Sequence, residues 1–508
     1  MYRGIIFSDT RSLSDCFACS REEVRDVVLW FIDRCGSCVQ WELVDVSDSL
    51  YVDNIISDDW ETYCDVLNDN YVGLGFDGTY NVPLFIIGGD YVIPMPKIRN
   101  PLMSCGREYL YSDMIYGYGS EVSYSTLARN FSRFAAGRLP VSEEHTLDYL
   151  KDYLEKCISL LQSSITVRGA VMTTTQTWFN ASKEVMQDIP LAQISSDFVP
   201  MKDRMIVSPP LDIECKEWCE GFVHELHKTD YLVCNLHGNN AKKYPFFVGE
   251  DRDKFHPMAL HPIMLKYSSP LIFNTMACYG ARFIGYSINQ SMLYSALING
   301  TMLYMGSCDV ALGGFSGETN FSELLMKLYN VYLNQGMPAG EALQMAKYGY
   351  YRTCHDISDD SNAMYTILEF NLFGCPLLSM KPTLPANYKP ILCGRSVVMR
   401  PPSAYKPINA IPVGENAYNT EDVLDYIRRR VDNNLAIIRE KVEREVYQRL
   451  GLGKDNLQNT FKLTRDDNQT GWRFVYNNAL QGENMNFETY YIVDTDQQGK
   501  ISRIIQTK

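Results

Sequence analysis

Apolar positions along the first ninety residues switch between two periods. Arg3-Gly4-Ile5-Ile6-Phe7-Ser8 reads as a strand. Ser20 and Glu23 then form a capping-box pattern, and Val24, Val27, Val28, Phe31 and Ile32 follow at helical spacing, with Gly36 as a stop. A strand (Trp41 to Val46), a helix (Trp60 to Asn68) and a buried strand (Pro83 to Ile87) come next. Alternating strand and helix units predict a parallel sheet covered by helices on both faces.

A second set follows. Gly137 to Val141 is a short extended segment, Glu143 to Ser159 a helix, and Ala170 to Thr173 a strand. Glu214 to His227 reads as helical. The strand Tyr231 to Leu236 runs into His237-Gly238, and the strand Leu271 to Thr275 runs into Ala277-Cys278. A helix (Ser291 to Asn299), a strand (Thr301 to Met305) and helices at Glu318 to Gln335 and Pro338 to Tyr351 complete the block. The Pro-rich stretch from Met399 to Pro412 reads as a linker. A charged helix (Thr420 to Leu450) and strand-like runs at Trp472 to Tyr476, Thr489 to Val493 and Ile501 to Ile505 form a small α+β tail.

Composition narrows the function. The chain has 508 residues, 46% hydrophobic and 21% charged, which fits a globular protein of two or three domains. A net charge of −14 argues against a nucleic-acid partner, which would require a basic stripe. The N-terminal apolar run is only Gly4 to Phe7 and no cleavage site follows it, so no export signal is expected. No run of about 18 apolar residues predicts a membrane span. The 15 cysteines, an odd and scattered number, are then best read as reduced thiols in a cytoplasmic protein.

The candidate chemistry sits at two strand ends. In open α/β sheets, sites form at the carboxyl ends of strands. If the strands ending in His237 and Cys278 are neighbours, the two side chains emerge together. An imidazole helps to generate a thiolate, the thiolate attacks a peptide carbonyl, and the imidazolium protonates the leaving amine. The backbone N–H groups of Gly238 and Cys278 are the natural oxyanion donors. A single cysteine ending an apolar strand is more often an inert buried thiol. The pair is sharper, because the His lies 41 residues upstream, close to the roughly 50-residue spacing of caspase-type enzymes.

These segments resemble the gingipain family of caspase-like cysteine peptidases. Leu232 to Gly238 resembles its strand ending in His-Gly, and Pro270 to Cys278 its strand ending in Ala-Cys. Ser112 to Gly117, Gly137 to Val141 and Phe373 to Leu378 resemble three further family segments. The resemblance covers about residues 80 to 380. It implies a caspase/gingipain-like α/β parallel-sheet sandwich in two subdomains, with Cys278 as nucleophile and His237 as general acid/base. The expected layout is an N-terminal subdomain (1–165), a catalytic subdomain (166–395), a linker (396–415) and an α+β appendage (416–508).

The sequence also departs from the family. Gingipains carry a carboxylate after the strand matching Ala170 to Thr175, where it assists the His. Here Thr174-Thr175-Gln176-Thr177 has no acid, so either His237 is oriented otherwise or a Cys/His dyad works alone. The acid of the Phe-Gly-Asp-Pro segment is replaced by Cys375. Met276 stands where caspases carry a Gln, which argues against an acidic preference. Asp309, Phe315 and Glu318 lie in the loop that lines the gingipain pocket for a basic residue, so cleavage after Lys or Arg is the expectation. The competing reading of Glu318 is a cap on the next helix.

Other motifs carry less. Cys16-x-x-Cys19 and Cys35-x-x-Cys38 have zinc spacing, but the helical stripe between them would hold the pairs about 22 Å apart. His224-Glu225-Leu226-His227 falls one residue short of HExxH, and Gly313-Gly314-Phe315-Ser316-Gly317 lacks the Lys of a phosphate loop. No metal or cofactor is expected. The segment Asn239 to Pro262, with Lys242, Lys243, Arg252 and Lys254, reads as a lid, a self-cleavage segment or a plain surface loop. The leading expectation is a cytoplasmic cysteine endopeptidase acting on protein substrates. Self-processing, or activation of a partner such as a pore-forming protein in bacterial defence, fits that reading. The alternative is an inactive caspase-like scaffold that binds partners through its appendage.

Overall fold

Among the described strands of four or more residues, six are buried at every residue: Val82–Ile87, Ala170–Thr174, Tyr231–Asn235, Ile272–Thr275, Leu303–Ser307 and Phe370–Gly374. A strand with both faces dry needs cover on both sides, and the intervening helices supply it. The computed structural model describes residues 2–49, 59–102, 108–119, 132–189, 201–202, 205–208, 215–238, 246–250, 257–314, 319–354, 360–392, 395–396, 441–446, 448–449, 458–460, 471–482, 485–496 and 499–507. The chain divides into two compact units at residues 404 and 405. Of the Pro-rich stretch and the Thr420 to Leu450 helix, only 441–446 and 448–449 fall within the described residues, and these are helical.

The first unit is a mixed α/β structure built on an 11-stranded sheet. Its order is Val39–Asp45, Tyr2–Ser8, Val82–Ile87, Phe134–Leu139, Phe370–Gly374, Leu303–Ser307, Ile272–Thr275, Tyr231–Asn235, Ala170–Thr174, Met205–Val207 and Met201–Lys202. Pairing is parallel except at two places. Phe370–Gly374 runs antiparallel to Leu303–Ser307, and Met201–Lys202 runs antiparallel to its neighbour. The sheet therefore consists of two parallel sets pointing in opposite directions. Strands from both expected subdomains share this one sheet. Among the described residues no helix is long and apolar enough to cross a membrane.

Local chemistry explains the helices. Ser20 and Glu23 close a full capping box on Arg21–Cys35, which buries Val24, Val28, Phe31 and Cys35. That helix separates the two CxxC pairs. Leu147–Ser163 starts later than the apolar pattern suggests because the Thr146 side chain accepts from the Tyr149 N–H and sets the cap there.

Two of the family-like segments meet in the core. Arg138 Nη2 lies 2.6 Å from Asp113 Oδ1 and its Nε 2.9 Å from Oδ2, with the guanidinium fully buried. Arg138 Nη1 also donates to the carbonyls of Gly88 and Ile93, at 2.9 and 2.6 Å. Nearby, Lys347 on the helix Ala339–Cys354 is buried, with Nζ 3.8 Å from Met114 Sδ. Loss of hydration pushes its ammonium down to about 7, and Asp113, Cys308 and Glu369 offset this only in part.

A first prediction follows from Lys347. The unfolded chain keeps this proton up to about pH 10.4, whereas the fold gives it up near 7. Stability therefore rises with pH across that window, and the whole penalty is felt below it. Lys347→Met is expected to stabilise the protein by several kcal/mol near pH 6, at about 1.4 kcal/mol for each pH unit that the window spans, and to flatten the rise at higher pH. Thermal melts of both proteins near pH 6 and pH 10 check it.

The second unit holds an antiparallel sheet of Gln458–Thr460, Gly471–Gly482, Met485–Asp496 and Ile501–Thr507. Burial opposes the charge of Asp494, but Arg473 and Arg503, each 2.6 Å away, hold its carboxyl below the usual range.

Candidate active site

The strands Tyr231–Asn235 and Ile272–Thr275 are hydrogen-bonded parallel neighbours. Cys234 stands opposite Thr275, so the residues that follow the two strands leave the sheet at the same rim. Contact is close at this end. A Cβ on Gly238 would lie 1.6 Å from the Cys278 carbonyl oxygen, so only glycine lets the two main chains approach. The Met276 N–H donates to Cys234 O at 2.9 Å and carries the pairing past the strand.

Cys278 ends its strand in a sharp turn. Ala277 N–H donates to Thr275 Oγ1 at 3.1 Å, and Gly280 N–H donates to Ala277 O at 3.1 Å. Tyr279 adopts φ 55°, a left-handed conformation rare for a non-glycine residue, and its N–H donates to Asp309 O at 2.7 Å. Cys278 Sγ accepts a hydrogen bond from Ala311 N–H at 3.2 Å, and the residue is 3% exposed. The Cys278 thiol in turn donates to Ala311 O at 3.7 Å. Burial drives the thiols of Cys234 and Cys308 far up, which makes them inert.

His237 has a carboxylate partner. Its Nε2 lies 2.8 Å from Glu250 Oε2, and both residues are buried. The indole of Trp178 packs on the imidazole, with centroids 4.4 Å apart. The sequence assigns no acid to His237 because residues 174–177 lack one. The structure brings the acid from the segment between the two site strands, 13 residues after the His. Its only trace in the sequence is the short apolar run Phe246-Phe247-Val248 ahead of Gly249-Glu250, too brief for periodicity to register.

The other candidate residues fall as follows. Met276 is fully buried beneath the turn. Asp309 is buried, and its Oδ1 accepts from the Val310 N–H while its carbonyl holds Tyr279. Phe315 and Glu318 lie outside the described residues, as do Lys242, Lys243, Arg252 and Lys254. Among the described residues, no group of three or more His, Cys, Asp or Glu side chains is arranged to hold a metal ion.

The fold is that of a mixed α/β protein with a large, mainly parallel sheet. Among solved structures it is similar to the Arg-specific cysteine proteinase gingipain R (RgpB), at 11% identity, covering 100% of this chain and 97% of that one, with a TM-score of 0.46. It is also similar to the complex of Porphyromonas gingivalis RgpB pro- and mature domains, at 10% identity, with 99% of each chain covered and a TM-score of 0.47. No family model matches the chain, and no curated protein matches it in sequence.

Proposed function

We propose that the protein is a cysteine endopeptidase in which Cys278 is the nucleophile and His237 the general acid/base. One observation supports this reading: the strands that lead into His237 and Cys278 are hydrogen-bonded parallel neighbours, and Gly238 is packed against the Cys278 main chain. The Cys278 sulfur attacks the scissile carbonyl carbon, and the developing oxyanion is met by the backbone N–H groups of Gly238 and Cys278. The imidazolium of His237 then passes its proton to the leaving amine. Water, deprotonated by the same imidazole, releases the acyl group from the sulfur.

The resemblance in the sequence favours a basic residue before the cut, read by the loop that contains Asp309. A peptide library incubated with the protein is expected to yield products ending in Lys or Arg, and alkylation of Cys278 is expected to stop the reaction. Products ending in acidic or large apolar residues would overturn the basic preference. An absence of products, with Cys278 alkylated no faster than a buried thiol, would overturn the peptidase reading. Self-processing within residues 239–262 belongs to the same proposal, and intact-mass measurement over time reads it directly.

A further inference from the structure

Two residues that no motif announces hold the imidazole of His237. In the plane of the ring, Nε2 lies 2.8 Å from Glu250 Oε2. On its face, the Trp178 indole packs at 4.4 Å between centroids and 53° between planes. Exposure is 3% for His237, 2% for Glu250 and 0% for Trp178, so the contacts form away from water, where they are strongest.

Both residues are anchored at one place. His237 N–H donates to Val248 O at 2.9 Å and Val248 N–H returns a bond to His237 O at 3.0 Å, an antiparallel bridge that starts Glu250 toward the ring. Gly249 makes the passage possible, since a Cβ there would lie 2.1 Å from Ser208 Cβ. Gln176 N–H donates to Glu250 O at 3.1 Å, and Trp178 N–H donates to Thr175 Oγ1 at 3.1 Å. The turn from Thr175 to Trp178 therefore fixes the main chain that bears the carboxylate and also presents the indole. It lacks an acid of its own and supports one sent from elsewhere.

We propose that Glu250 and Trp178 act together as positioning residues for His237, the carboxylate fixing the tautomer and the imidazolium, the indole fixing the ring plane. This rests on the peptidase reading above and adds to it the origin of the carboxylate, which is the segment between the two site strands. With Nε2–H donating to Glu250, proton exchange with Cys278 falls to Nδ1. The carboxylate holds Nε2–H in place, and the packed indole keeps the ring from rotating out of line.

The test reads His237 without requiring turnover. Protein labelled with 15N at histidine is examined by NMR, with His237→Gln used to assign the signals, and the ring nitrogens report the tautomer. In Glu250→Leu, which removes the acceptor at similar size, the His237 ring is expected to lose its preference for the Nε2–H tautomer. In a turnover assay of Glu250→Leu, kcat should fall about 10- to 100-fold with little change in KM. Trp178→Phe should keep the tautomer while lowering kcat, and it serves as the second variant should Glu250→Leu fold poorly. An unchanged tautomer in folded Glu250→Leu, or unchanged kcat in Trp178→Phe, overturns the positioning role of that residue. A changed tautomer in a protein that cleaves no peptide overturns the peptidase reading and leaves the positioning of His237 standing.

Discussion

Cys278→Ala is expected to lower kcat/KM toward a cleaved peptide by about 10⁴-fold or more, the loss seen when a covalent nucleophile is removed. The sulfur is the atom that forms the acyl intermediate, and no neighbour replaces it. Cys234 stands within its strand at the level of Thr275 and is fully buried, and Cys308 lies behind the turn with its thiol held neutral by burial. Cys234→Ala and Cys308→Ala should therefore cost packing rather than chemistry, on the order of 1–2 kcal/mol of stability. Because the turn that contains Cys278 is held by backbone hydrogen bonds, Cys278→Ala should fold normally. Steady-state kinetics beside a urea titration separates the two effects. A variant retaining more than about a tenth of wild-type activity would rule out Cys278 as nucleophile.

Arg138→Met is expected to destabilise the first unit by about 3–5 kcal/mol, the cost of leaving a buried charge unpaired. Asp113 would keep its ionised oxygens in a dry site, and the carbonyls of Gly88 and Ile93 would lose their donor. Removing both charges is a different matter. Arg138→Met combined with Asp113→Leu should recover much of the loss, since apolar replacement of a whole buried pair is often neutral. Urea midpoints at constant m-value for the single and double variants measure this. A single variant within about 1 kcal/mol of wild type would show that the pair contributes little.

Much of the sheet is legible in the sequence because its strands are short apolar runs followed by polar breaks. Tyr231 to Leu236 and Leu271 to Thr275 stand out this way, and the residues just past them carry the candidate chemistry. The capping box at Ser20 and Glu23 is equally plain, since both partners lie within one turn. What the sequence hides is long-range. The reversal at Phe370–Gly374 depends on which strand it meets, and its apolar run looks the same in either direction. Glu250 is hidden for a similar reason. Its role comes from the bridge between His237 and Val248 and from the Gln176 N–H, contacts that no spacing rule encodes. Asp113 and Arg138 stand in separate motifs, and nothing in either reveals that they form one ion pair.

The reversal in the sheet has a bearing on how this protein can change. Strand-end loops are where folds of this type diversify. Here the carboxyl ends of Tyr2–Ser8, Val82–Ile87 and Phe134–Leu139 face one rim of the sheet, and those of Tyr231–Asn235 and Ile272–Thr275 face the opposite rim. The molecule thus has two rims of strand-end loops separated by the length of a strand. Insertions along one rim, such as the turn after Ile87, leave the geometry at Cys278 undisturbed. A second recognition surface can evolve on the far rim while the near rim stays fixed.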